Sequence, residues 1–442
     1  QPLDRGEVRL RIVEAKVGRI IVEGNRFFDG ANIRASLPSL VDGKPPNIRR
    51  IARSLRLAND NPAKQTRLLL RGGEEEGTLD AVLGVVDEKP AQASLGLDNA
   101  GSPRSGRLRT RFGYRSANFG GGDEVLTLEY IHSPRAGGLD EGNILGASYR
   151  VPLYGSGDSI ELAAVYSNAA AGASGDPFPV SGAGTQLQAR YSANFDKRGD
   201  YEHRFILSQD WRAYHDANAD PFSARRLPDV SVHPLGAAYL GRYRRADAET
   251  VFSFGFFANL AGGNDGGEAD FCNPSLRPDA GGACAEAHYR AWKWSFLHNE
   301  ILPRGFRLRF ATDGQFTRDL LVPGEQFGIG GAQSVRGFFE RELAGDRGYR
   351  GSLEAYTPEL AGASAPGGGA RALLFLDWGR VQTSPAPGVQ GAGGSIGSWG
   401  IGLRAAQGSK LELRLDCAFV LDESPAHRRG SARLHGSVSY TF

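Results

Sequence analysis

From Gln92 to Phe442 the sequence alternates with a period of two residues, and that alternation restricts this part of the chain to folds built from strands. In Lys410 to Phe419 the odd positions are Leu411, Leu413, Leu415, Cys417 and Phe419, and the even ones are Lys410, Glu412, Arg414, Asp416 and Ala418. A soluble sandwich and a membrane barrel both produce a strand with one apolar and one charged face. Loop length and strand number separate the two. About sixteen such segments follow one another, and an even number is typical of single-chain bacterial barrels. Short connections such as Tyr154–Asp158, Arg244–Ala248, Leu302–Gly305 and Gln407–Ser409 alternate with long ones at Asn168–Gly184, His215–Asp229 and Gly262–Ala287. Short turns belong on the periplasmic side of a barrel and long loops outside, so an even count returns the C-terminus to the periplasm. No run approaches the roughly 18 apolar residues of a transmembrane helix. A hydrophobic content of 40% and a mean hydropathy of -0.35 suit a closed barrel, whose lipid-facing and lumen-facing residues alternate. The expected fold is mainly β: a 16-stranded antiparallel transmembrane β-barrel, preceded by a small α+β domain.

The front of the chain reads differently. A strand over Arg19–Val22 leads through Gly24-Asn25 to two helical runs, Asp29–Leu37 and Asn47–Asn59, with Pro46 at a helix start. Strands over Arg67–Arg71 and Thr78–Val86 follow, separated by Gly72-Gly73. The order β-α-α-β-β, and the length of Val17–Pro90, resemble a POTRA domain. Upstream, Val8–Glu14 reads as the last strand of a preceding module. The expected divisions are residues 1–16 as a remnant strand or linker, 17–90 as the POTRA domain and 91–442 as the barrel. The sequence contains no Met and no charged-then-apolar leader before Gln1, the pattern of a processed or trimmed chain.

A net charge of +2 implies neither nucleic acid nor a strongly acidic partner. Cys272 and Cys284 flank a Gly/Pro/Asp-rich segment, where a loop disulfide fits an oxidising compartment; two unpaired surface thiols are the other reading. The eight His are scattered and no Cys/His spacing suits zinc, so no metal and no cofactor are expected. There is no G-x-S-x-G elbow, H-E-x-x-H or P-loop, which points to a non-enzyme. Gly328–Gly331 lacks the βαβ context of a dinucleotide loop.

The most specific signal lies between Leu320 and Arg347: Gly324-Glu325-Gln326-Phe327, Gly330-Gly331, then Val335-Arg336-Gly337-Phe338. Downstream stands Phe375-Leu376-Asp377-Trp378-Gly379. The first stretch resembles the V-R-G-F/Y loop of the TpsB transporters of two-partner secretion, the exporters of hemolysin and filamentous hemagglutinin. The second resembles their F-x-D-x-G motif on an inward-facing strand. Leu97-Asp98-Asn99, Asn118-Phe119-Gly120 and the aromatic C-terminus ending in Phe442 add looser support. The resemblance implies a loop at about 320–347 folded into the lumen, with Arg336 paired to Asp377. Parity agrees, since Leu374, Leu376 and Trp378 facing lipid would turn Phe375, Asp377 and Gly379 inward. Arginine suits the role because its planar fork matches a carboxylate bidentately. Gly337 permits a tight turn, and Phe338 and Phe375 are expected to shield the pair, which in open water would contribute only about 0–1 kcal/mol.

TpsB proteins usually carry two POTRA domains and a plug helix; the front of this sequence shows one POTRA-like segment, and neither a first POTRA domain nor the helix is evident. The resemblance implies export of an unfolded partner polypeptide across the outer membrane of a Gram-negative bacterium, with the N-terminal domain in the periplasm. The client would be caught by strand addition at the POTRA sheet edge, at Arg67, Leu69 and Arg71. Outer-membrane lipid and lipopolysaccharide would surround a monomeric barrel. An outer-membrane insertase of the same superfamily is the alternative, and a diffusion pore or surface adhesin is a third class.

Overall fold

The computed structural model describes residues 14–442 apart from 102–105, 135–141, 170–177, 179–180, 216–228, 282, 361–367 and 385–392. Most of the Val8–Glu14 segment therefore lies outside the described residues. The chain divides into two compact units: residues 1–91 with 116–125 and 151–159, and a larger unit of 92–115, 126–150 and 160–442.

The first unit contains β1 (Lys16–Glu23), α1 (Gly30–Ala35), α2 (Ile48–Ala58), β2 (Lys64–Gly72) and β3 (Thr78–Asp87). The sheet order is β1-β3-β2, with β1 parallel and β2 antiparallel to the central β3. A parallel pair needs a crossover, and the two helices supply it. Each helix starts where a side chain caps it: Asp29 accepts from Asn32 N at 2.7 Å and Asn47 from Arg50 N at 3.1 Å. Pro46 thus stands just outside α2 rather than in its first turn, because Asn47 takes the capping position. Alternate strand residues Val17, Ala81, Leu83 and Val85 pack with Phe28, Ile33, Leu37 and Ile51 from the helical segment. The opposite sheet face leaves Leu69 and Val86 exposed.

Two buried charges order this unit. Lys64 is 2% exposed; its ammonium donates to Asn32 Oδ1 at 2.8 Å and to the Asp123 carboxylate, which also accepts from the Tyr154 hydroxyl. Burial lowers the lysine pKa, and Asp123 opposes that shift. The Asp87 carboxylate accepts the backbone N–H groups of Arg26, Phe27 and Phe28 at 3.0, 2.8 and 2.9 Å.

In the larger unit the strands form a closed barrel from Ala91–Asp98 to Ala432–Thr441, which pair antiparallel with Ser437 opposite Asp98 and Thr441 opposite Ser94. Val230–Val232 and Pro234–Arg244 both pair with Tyr201–Tyr214, so these two segments form one stave interrupted at His233. Counting them once gives 16 antiparallel staves from the 17 barrel segments. The period-two pattern persists in the structure: Leu373, Phe375, Asp377, Gly379 and Val381 are buried, while Leu374 and Leu376 are exposed. No described helix is long and apolar enough to cross a membrane, a test that does not bear on strands.

Burial alone would raise the Asp87 pKa, but the three N–H donors outweigh it and hold the carboxyl below its ordinary value. The depressed value means that the group stabilises the unit at neutral pH and loses that contribution as pH falls through it. Asp87→Ala should cost about 2 kcal/mol or more and remove this acid sensitivity. Hydrogen exchange of β1–β3 amides in the intact chain, measured across the acid range, checks both.

Candidate functional site

The strands Arg307–Phe316 and Arg347–Tyr356 are neighbours in the barrel, joined by the long segment that carries Arg336. Its two legs zip into a small antiparallel ribbon, Phe327–Ile329 against Leu343–Gly345. The tip turns tightly, with Gly331 N donating to Val335 O at 3.2 Å and Ser334 N to Gly331 O at 3.0 Å. Gly337 has φ of 96°, a conformation that favours glycine, and a Cβ there would sit 3.3 Å from Ala418 Cβ on the barrel wall. Its N–H donates to His435 Nε2 at 2.9 Å, so that ring nitrogen carries no proton.

Ile329, Val335 and Phe338 pack with Val381, Ile396 and Val420, three residues from consecutive staves. This apolar contact presses the tip to the wall and brings Arg336 over Asp377. Arg336 Nε donates to Asp377 Oδ2 at 2.7 Å and Nη2 to Oδ1 at 2.7 Å, the bidentate fork, and the Arg336 backbone N–H adds a bond of 3.1 Å. Ser352, opposite Asp377 in the sheet register, donates to Oδ1 at 2.6 Å. Nη1 lies 2.9 Å from Glu354 Oε1 and 3.5 Å from Asp416 Oδ1. Those two carboxylates also meet Arg309 at 3.2 Å and Arg404 at 2.9 Å, so three guanidinium groups face three carboxylates. Arg336 is 4% and Asp377 0% exposed.

Both motifs have steric reasons. The Phe375 ring lies 3.5 Å from the Arg336 guanidinium carbon, a cation–π stack. Gly400, opposite Phe375 in register, leaves room for that ring, since a Cβ there would come within 2.4 Å of it. At Gly379 a Cβ would press on Ile329 and Val335 at 3.2 Å, so the missing side chain admits the tip. Phe338 packs in the wall cluster and meets the His427 ring edge-on at 5.6 Å, leaving Phe375 as the ring stacked on the guanidinium.

A second charge pair, not anticipated from the sequence, anchors the outgoing leg. Arg212 Nη1 donates to Glu325 at 2.7 and 2.9 Å, the Tyr214 hydroxyl donates to Glu325 at 2.6 Å, and Arg212 also pairs with Asp210. Inward parity along Tyr201–Tyr214 could have selected Asp210 and Arg212; nothing local marks Glu325 as their partner. Cys272 and Cys284 are joined, and Cys417 is the free cysteine. Arg67, Leu69 and Arg71 lie exposed on β2, which pairs with β3 on one side and forms the edge of its sheet. Among the described residues no group of three or more His, Cys, Asp or Glu is arranged to hold a metal ion.

The sequence matches the model of the haemolysin secretion/activation protein family ShlB/FhaC/HecB over residues 77–405, well over half its length. The chain belongs to this family. It is 22% identical over 370 residues to the heme/hemopexin transporter protein HuxB of Haemophilus influenzae, covering 79% of this chain but only 60% of HuxB. Its fold is similar to that of CdiB from Escherichia coli, with a TM-score of 0.79, 17% identity, and coverage of 97% of this chain and 77% of CdiB. BamA from Haemophilus ducreyi lacking POTRA domains 1-3 is also similar, with a TM-score of 0.56, 14% identity, and coverage of 97% and 85%. As a member of this transporter family with a 16-stave barrel, the protein is an outer-membrane β-barrel.

Arg336→Ala would leave Asp377 buried without its main partner, a loss of about 3–5 kcal/mol at the tip. The Arg336→Ala/Asp377→Ala double variant should lose less than the sum of the two single losses. Gly379→Val should loosen the tip by about 1–3 kcal/mol through overpacking. Hydrogen exchange across residues 330–342, with strand amides as the internal reference, measures all three.

Proposed function

We propose that this protein exports a partner polypeptide from the periplasm to the cell surface, with the barrel as conduit and the Arg336 loop as its movable part. The observation that carries the reading is the way the loop is held. Its tip lies against the buried face of the barrel wall through an apolar patch, one charge cluster and glycine contacts, all non-covalent. Such a contact is strong enough to hold the loop at rest and can be exchanged for contacts with a passing chain.

The first unit acts as the POTRA domain of this machine and lies in the periplasm. An extended client adds to the free edge of β2 through backbone hydrogen bonds, which tolerate varied extended sequences, while Arg67, Leu69 and Arg71 choose among side chains. No nucleotide is available in the periplasm, so folding of the client outside supplies direction. The protein works without catalysis or cofactor.

Arg336→Ala should abolish release of the partner protein while the barrel remains in the membrane; secretion at the wild-type rate would refute the loop's role. Arg67→Glu combined with Arg71→Glu should slow release without changing barrel abundance. Deleting the gene separates export from membrane-protein insertion: loss of one secreted protein supports export, and general loss of outer-membrane barrels supports the insertase.

A further inference from the structure

The segment between the strands Ala248–Asn259 and Arg290–Ile301 has a small structure of its own. It contains the helical turn Glu268–Phe271, the Cys272–Cys284 disulfide and a 3-10 turn at Pro278–Ala280. Phe271 and Leu276 are buried with Val230, Val232, Leu321 and Val322, so the segment packs directly on the outgoing leg of the Arg336 loop.

Arg277 sits inside the disulfide-closed ring and is 1% exposed. Its Nη1 donates to Leu321 O at 2.7 Å on the outgoing leg and to Asp346 Oδ1 at 2.8 Å at the end of the returning leg. Nη2 reaches Asp346 Oδ2 at 3.3 Å, and Asp279 within the ring holds the other side of the fork at 2.9 Å. Asp346 is 0% exposed and also accepts from Leu321 N at 3.1 Å, Gln326 Nε2 at 3.2 Å and Ser384 N at 2.7 Å. Remove Arg277 and this fully buried carboxylate keeps only neutral donors. One guanidinium from a separate loop therefore ties together the two ends of the segment that carries Arg336.

We propose that Arg277 is a positioning residue. The disulfide ring presents it as an outer clasp, which closes the two legs of the Arg336 loop and sets how readily the tip leaves the barrel wall. The ring matters because it orders Arg277 before it binds, so less conformational freedom is lost when the clasp closes. Reducing the disulfide or removing the guanidinium loosens the legs, and the tip opens more often although Arg336 and Asp377 are unchanged. The inference uses the export reading only for its purpose. Its test contains no client, so failure of the clasp and failure of export are distinguishable.

The experiment follows amide hydrogen exchange of the purified full chain in detergent, before reduction, after treatment with a phosphine reductant and after reoxidation, alongside Arg277→Gln. Exchange in residues 323–342 should accelerate at least about tenfold on reduction and in the variant. It should return on reoxidation, and the strands Arg347–Tyr356 and Gly368–Gln382 should not change. In planar bilayers the same treatments should make channel openings more frequent. Faster exchange confined to residues 268–287, with 323–342 unaltered, overturns the clasp. If Arg277→Gln does not assemble a heat-modifiable barrel, the reduction and reoxidation arms on the wild-type chain still decide the question.

Discussion

A guanidinium enclosed by protein has to find carboxylates, and the placement of Arg336 organises much of this barrel around that requirement. An isolated buried charge would cost several kcal/mol. Asp377 supplies a bidentate partner, Glu354 and Asp416 flank it, and Arg309 and Arg404 balance those carboxylates in turn. The surrounding small residues follow from the same demand. Gly379 makes space for the tip, Gly400 makes space for the ring beneath the guanidinium, and Gly337 lets the backbone turn against Ala418. Substitution at any of these glycines would act on the charge cluster by displacing what presses on it.

Three arginines then divide the work along one loop. Arg212 holds the outgoing leg through Glu325, Arg277 joins the two legs through Leu321 and Asp346, and Arg336 fixes the tip. The contacts come from a barrel strand, a disulfide-closed loop and the signature motif itself. A loop held at several separate points can open in stages, each costing less than release of the whole.

The fold was largely legible in the residues. Alternation over Lys410–Phe419 and its sister segments specifies which side chains share a face, and the burial pattern at Leu373–Val381 repeats it. The β-α-α-β-β order of the front was readable because capping residues, glycines and apolar periodicity mark its boundaries, the small displacement of Pro46 aside. Stave interruption at His233 was not readable, since a break in pairing depends on neighbours in space.

At the site, the sequence by itself determined the chemical vocabulary: an arginine between glycine turns, an aspartate flanked by phenylalanine and glycine at period two, and a pair of cysteines around a turn-rich loop. Short-range steric and pairing rules act within a few residues, so they leave a trace along the chain. Only the tertiary structure decided that Ser352, Glu354 and Asp416 complete the charge cluster, that Glu325 meets Arg212, and that Arg277 closes on Asp346 across 69 positions. Those contacts arise from barrel closure and loop packing, which bring distant segments together, and a buried charge accepts whichever partner that geometry delivers.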